Sequence, residues 1–562
     1  MYVSRSRMSH VLSCVSLAAI VVSIVGVVLN TSLVHAASLA GPGYSASKGT
    51  LARVATVDPT KLPTKAPPAS KKTLLIRHHS PGQQVTNGAL LIPTATGISF
   101  AGKGSLLQNF NGLSSLDNRK VNGFDLEPPD QGLCVGNGFV MEAINIVGAV
   151  YHTNGKLIRG PFGLQAFFAE TPGITGTFIS DPRCYFDAST HTWFATILAI
   201  PSPGGPPGSQ LKTRVDLAVN SSGNPTTPWT IYKIDTTDLG NPGCPCLPDQ
   251  PIMGIDQDNV YITTNEFPLF SPGFNGAQIY ALSKSQLVSL SNPVKFVHFG
   301  NLTTGGFPVY HLEPAITNGN AAAEYLMNSL GPFDNLDNRL GLWAITNQQA
   351  VTEGGMPTLS AITITSETYV APGIAPNPNG NSLNPDDDGL LQLQYINGNL
   401  WTSLNTSLLI SGDRGSRDGA AWFEVHPKLS SNGRTISSAS IRNQGYVALK
   451  GKYLLYSAIA TGADGTAVMA FTVTGASTFP SAGYAVLRAG AKSFGAVHIA
   501  ASGTTTDNGF SCGGALNPCR WGDYSAAVID PSSTNAWLAT EYIPPIGSTM
   551  ANWGTRLFEV QA

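Results

Sequence analysis

Charge is scarce in this chain: only 12% of its 562 residues are Asp, Glu, Lys or Arg, about half of what soluble domains carry. A formal net charge of -2 and a pI near 6.5 give no field that gathers phosphate backbones. No Lys/Arg run is interleaved with aromatics in the body, so nucleic acid is excluded as a partner. H-E-x-x-H, G-x-S-x-G, the P-loop and the dinucleotide-binding G-x-G-x-x-G are all missing, which removes the reactions those motifs serve. The cysteines lack C-x-x-C spacing and a nearby histidine pair, so a zinc site is disfavoured.

Glycine and proline are plentiful, 60 and 39 residues, within a chain that is 42% hydrophobic. That balance predicts short strands and tight turns rather than long solvated helices. A chain of this length exceeds what one core can hold, so several domains or a tiled repeat is expected.

At the N-terminus Arg5 and Arg7 precede an apolar stretch from Val11 to Leu29, followed by Val34-His35-Ala36. This is the pattern of a secretory leader with a small-x-small cleavage site, and residues 1–36 are read as a signal peptide. The stretch is also long enough to span a bilayer, so a retained anchor is the one route to a membrane. Cys14 stands near the start of the apolar region, where a lipid-attachment cysteine would not.

Without Cys14 six cysteines are left: Cys134, Cys184, Cys244, Cys246, Cys512 and Cys519. An even number in an exported chain predicts disulfides. Cys512 and Cys519 flank a Gly- and Pro-containing segment that turns back on itself, and are expected to pair. Cys244-Pro245-Cys246 is too tight to favour closing on itself.

Residues 37–80 are rich in Ala, Ser, Pro, Thr and Lys without apolar periodicity, as in Lys61 to Lys72, and are read as a flexible, disordered spacer ending near His78-His79. Residues 81–125 form a lead-in. From 126 to 562 a theme recurs: a polar turn, a short apolar strand, a second alternating strand, a Gly/Asn turn, often an aromatic. Asn154-Gly155 and Asn397-Gly398 are hairpin signals.

Units begin at Pro128, Ser180, Pro248, His311, Asp386, Arg442 and Arg520. None can bury its own apolar face, so neighbours must stack, and radial closure hides both ends of the array. The expectation is an all-β fold, a seven-bladed β-propeller of four-stranded antiparallel blades. A pair of β-sandwiches is the rival architecture.

The unit openings resemble a family of secreted bacterial β-propeller proteins, largely hypothetical. The likeness is carried by Pro128-Pro129-Asp130, Asp181-Pro182-Arg183, Glu313-Pro314-Ala315 and Arg520-Trp521-Gly522-Asp523-Tyr524-Ser525. Asp530-Pro531, Glu541-Tyr542 and Trp553-Gly554-Thr555-Arg556 follow. The resemblance implies a propeller fold and export, and it implies no reaction.

Strands nearest a propeller's axis all run the same way, so residues just before them collect at one mouth. Those positions read Asp130, Asp181, Asp249, Glu313, Asp388, Gln444 and Asp523, with Arg183, Arg442 and Arg520 beside them. Such a set is chemically suited to gripping sugar hydroxyls, to holding Ca²⁺, or to supplying the two carboxylates of a glycosidase. The arginines would suit a carboxylate or sulfate ligand, as in sialidases, but no S-x-D-x-G-x-x-W box is present.

The plain alternative is that each Asp binds backbone N–H groups of its own turn. Asp386-Asp387-Asp388 and Asp334 with Asp337 are further acidic clusters, read first as solvated turns. The histidines are scattered. Trp193, Trp343, Trp401, Trp422, Trp521, Trp537 and Trp553 are read first as packing between units and second as a sugar platform.

Three functions follow from these features: an exported propeller binding a glycan or protein ligand at the cell surface, a glycoside hydrolase or sialidase-like enzyme using mouth carboxylates, and a structural envelope protein. No cofactor is evident beyond Ca²⁺.

Overall fold

A computed structural model describes residues 42–65, 73–75, 92–95, 104–201, 212–304, 307–317, 319–330, 336–378, 381–513, 518–547 and 550–562. The leader, Cys14, His78-His79 and Asp334 lie outside the described residues. The fold is all-β, as expected.

Successive runs of antiparallel strands, numbered here as sheets 1 to 7, follow one another along the chain; sheets 3 and 5 are joined within one 12-stranded sheet and sheet 2 extends to five strands. Sheet 1 comprises Gln131–Gly136, Phe139–Ile144, Val147–His152 and Leu157–Gly163. Sheet 2 comprises Phe178–Asp187, Thr192–Ile200, Arg214–Asn220 and Trp229–Asp235. Sheet 3 comprises Cys246–Ile255, Asn259–Pro268, Ala277–Ser283 and Val294–Thr304. Sheet 4 comprises Glu313–Pro314, Glu324–Ser329, Asp337–Thr346 and Thr358–Tyr369.

Sheet 5 comprises Leu390–Ile396, Asn399–Ile410, Ser416–Leu429 and Ile436–Val447. Sheet 6 comprises Tyr453–Thr461, Ala467–Gly475, Thr478–Leu487 and His498–Ala501. Sheet 7 takes Ala526–Ile529, Ala536–Tyr542 and Gly554–Gln561 from the C-terminus. Its fourth strand, Ser105–Ser114, comes from the segment read as a lead-in and pairs antiparallel with Gly554–Gln561.

Local chemistry explains the hairpins. Asn137-Gly138 and Asn397-Gly398 both hold positive φ, 49° and 80° in the first pair and 51° and 82° in the second. That is the backbone a two-residue turn matching strand twist requires. First and second strands are buried on both faces over much of their length, as in Phe139–Ile144 and Cys246–Ile255.

The apolar cores lie between successive sheets. Phe194 and Leu217 meet Ile255 and Val260 between sheets 2 and 3, and Tyr261 and Ile279 meet Leu326 and Trp343 between sheets 3 and 4. Similar clusters join sheets 4 and 5, 5 and 6, and 6 and 7. One further cluster unites Trp537 and Leu557 of sheet 7 with Val140 of sheet 1 and Trp193 of sheet 2. The first strand of each sheet touches the first strand of the next, and that of sheet 7 touches that of sheet 1. Ile316–Thr317, continuing the first strand of sheet 4, bridges in parallel to Ile255 on one side and to Gln394 and Tyr395 on the other.

Three sequence expectations are corrected. The sixth unit does not begin at Arg442: Ile436–Val447 is the outer strand of sheet 5, and the sixth first strand is Tyr453–Thr461. The span read as a flexible spacer contains Gly43–Leu51 and Arg53–Val57, which pair with the outer strands of sheets 3 and 2. These strands satisfy edges that would otherwise face water unpaired, a task for which their own sequence needs no apolar face.

Finally, Cys244 and Cys246 do pair with each other, alongside the expected Cys512–Cys519 and a Cys134–Cys184 bridge between the first strands of sheets 1 and 2.

Candidate functional site

The first strands have a leading end, where the chain arrives, and a trailing end. At the leading end the backbone repeats an unusual conformation: Asp130, Asp181, Gln250, His311, Asp386 and Tyr456 all have positive φ, between 39° and 61°. For residues other than glycine this costs on the order of 1 kcal/mol or more each, so packing from neighbouring sheets must enforce it. Register shifts accompany it in the first strands of sheets 2, 3 and 6. A bulge of this kind re-aims the side chain, here toward the adjacent sheet.

Asparagines in or just after second strands hold the next sheet in place. The Asn145 side-chain oxygen accepts from the Asp181 N–H (2.9 Å), that of Asn265 from the His311 N–H (3.0 Å), and that of Asn405 from the Ser457 N–H (3.3 Å). Sequence reasoning did not single these residues out. A signal was present, since each follows four buried residues of its second strand: Met-Glu-Ala-Ile-Asn145, Tyr-Ile-Thr-Thr-Asn265 and Trp-Thr-Ser-Leu-Asn405.

Asp130, Asp181 and Asp523 are brought together, with one oxygen from each lying within 4.8 Å of the others, all buried. Most of their hydrogen-bonding capacity is committed. Asp130 accepts from the Asp523 N–H (2.6 Å) through Oδ1 and from the Asn145 amide (2.6 Å) through Oδ2. Asp181 accepts from the Ser180 hydroxyl (3.0 Å) and from the Gln250 N–H (3.3 Å). Asp523 Oδ1 accepts from the Arg520 guanidinium (2.6 Å). Asp130 and Asp181 thus bind backbone, but that of the neighbouring sheet where their own turns were expected.

Burial pushes the Asp130 carboxyl well above its usual range, helped by the nearby Asp523 and Asp181 charges. It lifts Asp181 to about 7, with Asp249 and Asp523 adding to the effect. Glu313, fully buried, is lifted to about 8 by desolvation, against a lowering pull from Arg183. Burial opposes the charge on Arg520, but Asp523, Asp386 and Asp130 together hold it firmly protonated.

Arg183 lies over the Tyr524 ring at 3.3 Å, and its Nε and Nη2 are buried without a hydrogen-bond partner. Arg183 and Glu313 both line a cavity of about 60 Å³ between the first strands. His311 Nε2 lies 3.5 Å from Glu313 Oε1. Asp249 is buried and faces Asp181.

Three expected members are placed differently. Asp388 is wholly buried and faces Tyr369. The sheet 5 acid that faces Arg520 and Tyr456 is the half-buried Asp386. Asp387 accepts from the Tyr310 hydroxyl (2.9 Å). Arg442 and Gln444 sit on an outer strand because the sixth unit starts later; Arg442 is exposed, and Gln444 caps the Glu367 N–H (2.9 Å).

The donor set does not favour Ca²⁺ among Asp130, Asp181 and Asp523. Their oxygens already face backbone N–H groups and a guanidinium, which a cation would have to displace. Of the other acidic cluster, Asp337 pairs with Arg339. The tryptophans are buried, so they pack rather than stack on sugars: Trp521 donates to Thr472 (3.1 Å) and Trp553 to the Leu126 carbonyl (2.7 Å).

The trailing end is different. A cavity of about 420 Å³ opens there, lined by Val135, Tyr185, Asp256, Thr317, Gln394, Ala463 and Val528, at least one residue from each sheet or the turn that follows its first strand. Its one buried ion pair, among the described residues, is Lys284 with Asp187 at 3.0 Å.

No family model matches the chain, and no curated protein does. Among solved structures it is similar to a Trypanosoma rangeli sialidase at 9% identity and a TM-score of 0.31, over 77% of this chain and 58% of that one. The chain therefore spans somewhat over half the length of that sialidase. It is also similar to a Hadza microbial sialidase at 11% identity and a TM-score of 0.31, over 75% and 73%. A polysaccharide lyase, an ulvan lyase, is similar at 10% identity and a TM-score of 0.33, over 82% and 96%.

Proposed function

We propose that the seven sheets close radially into a seven-bladed β-propeller, and that this exported protein binds a glycan at the leading end of its axis without cleaving it. Closure is supported by the cyclic contact of first strands and by an axial cavity to which every sheet contributes. Export is supported by the leader and by three disulfides, which persist in oxidising compartments. No helix of the described residues is long and apolar enough to cross a membrane.

The observation that carries the non-enzymatic reading is the commitment of the central oxygens. A general acid or nucleophile needs an oxygen free to meet substrate, yet both oxygens of Asp130 and of Asp181 are already bonded to neighbouring groups. Groups of both signs stand at the rim, namely the half-buried Arg520 and Asp386, with Asp523 buried behind Arg520. Sugar hydroxyls, which donate and accept, suit such a rim.

The test is binding of the full chain to a broad glycan array with and without Ca²⁺, with turnover measured on every hit. Binding without turnover is the expected result. Failure to bind any glycan overturns the reading and shifts weight to a protein ligand or an envelope role.

One observation favours glycoside hydrolysis as a second reading. Glu313, which lines the cavity between the first strands, is held at about 8, as acids acting near neutrality are. Turnover lost in Glu313→Gln, with the fold intact, would establish it.

A further inference from the structure

Away from the axis, the loop after the outer strand of sheet 2 carries Cys244-Pro245-Cys246, bridged Sγ to Sγ. The three disulfides differ in what they constrain. Their cysteines are 50, 7 and 2 residues apart, and the chain entropy a bridge removes grows with the length of the loop it closes. Cys244–Cys246 therefore adds least to folding stability and opens at least cost to the fold.

Access to the two sulfurs is asymmetric. Cys244 is half-buried, next to exposed Pro242 and Gly243, whereas Cys246 is fully buried at the start of the first strand of sheet 3. An incoming thiolate meets Cys244 first.

The surroundings are equipped for exchange. The Asn275 amide lies 3.7 Å from Cys244 Sγ and 3.6 Å from Cys246 Sγ, within range of hydrogen bonds to sulfur. Glu266 Oε1 lies 3.6 Å from Cys244 Sγ, and a carboxylate oxygen of Glu266 is within 4.8 Å of both sulfurs. Burial holds the Glu266 carboxyl up at about 7, against the amides of Asn241 and Asn275 and with Asp238 pushing the same way. Near neutral pH a proton is therefore available beside the bridge.

We propose that Cys244–Cys246 is a redox-active disulfide that exchanges with external thiols, with Glu266 as proton donor to Cys244 Sγ and Asn275 steadying Cys246 Sγ. The thiolate of an external thiol attacks Cys244 Sγ, forming a mixed disulfide. The Cys244–Cys246 bond breaks and its electron pair goes to Cys246 Sγ, whose thiolate the Asn275 amide faces at 3.6 Å. A second external thiolate attacks the external sulfur, releasing an oxidised thiol dimer and Cys244 Sγ, which takes the proton of Glu266, 3.6 Å away. The bridge is reduced by two electrons and two thiols are oxidised.

The test equilibrates the full chain in glutathione buffers of graded reduced-to-oxidised ratio, traps free thiols by alkylation and reads each cysteine by mass spectrometry. Cys244–Cys246 is expected to open at a ratio about tenfold or more less reducing than Cys134–Cys184 requires. A bridge that stays closed until Cys134–Cys184 opens overturns the proposal. Glu266→Gln, close in shape, is expected to slow exchange about tenfold at pH 7; an unchanged rate removes Glu266 from the step. Asn275→Ala is expected to slow it less, and a faster rate in that variant contradicts the role given to Asn275.

Discussion

The two ends of the first strands are built from the same segments and yet differ: one is packed with buried acids, the other is open. The leading end packs Asp130, Asp181, Asp249, His311, Glu313 and Asp523 into near-complete burial. The trailing end leaves a cavity of about 420 Å³ walled chiefly by side chains such as Val135, Ile316, Ile396 and Val528. Under the radial closure proposed above, a gap of this kind is what converging strands leave, and it requires no further cause. Buried carboxylates do require one, since desolvating them costs several kcal/mol unless they are paired or protonated. The leading end pays that cost by bonding the acids to the backbone of adjacent sheets, so one set of residues both fixes the sheet order and concentrates polarity at one place.

That contrast is open to direct attack. The largest effect is expected from Asp130→Ala, which strips acceptors from the Asp523 N–H and the Asn145 amide and should cost roughly 3 kcal/mol. The midpoint of urea unfolding measures it. A change below about 0.5 kcal/mol would mean that Asp130 does not join sheets 7 and 1.

Next comes pH. Asp181 and Glu313 have folded-state values near 7 and 8, above the ordinary 3.8 and 4.5. The native state therefore holds more protons than the unfolded state across this window. Their contribution to stability is complete below about pH 4 and is lost as pH rises through 8. The melting temperature should fall between pH 5 and pH 8.5, and Glu313→Gln should flatten that fall.

Asn405→Ala tests a single inter-sheet link to Ser457 and is expected to cost about 1–2 kcal/mol. The smallest effect belongs to the trailing end. Ala463→Trp at the exposed rim of the cavity should change stability by less than about 0.5 kcal/mol. A large loss there would erase the distinction between the ends.

The sequence made the leading end legible through its punctuation. Pro128-Pro129-Asp130 and Asp181-Pro182-Arg183 each carry an Asp of left-handed backbone, and they and Arg520 to Ser525 do lie at the leading ends of first strands. The sixth unit misled because its first strand is preceded by Leu449-Lys450-Gly451-Lys452, which carries no acid, and its left-handed position is filled by Tyr456. Arg442-Asn443-Gln444 imitated the motif from an outer strand.

Ser105–Ser114 and Gly43–Val57 were not legible as sheet members because edge strands face water on one side and need no apolar alternation. Which oxygens were free could not be read at all, since the Asp130 to Asp523 link joins residues at opposite ends of the chain.

The central claim places ligand binding at the leading end, and the most direct measurement compares two variants for affinity toward a glycan bound by the wild-type chain. Asp386→Ala with Asp523→Asn alters the leading rim, and Ala463→Trp plugs the trailing cavity. The account predicts that the leading-end variant loses at least about tenfold in affinity, roughly 1.4 kcal/mol, while Ala463→Trp binds as the wild type does. Binding lost in Ala463→Trp and kept in the leading-end variant would contradict it.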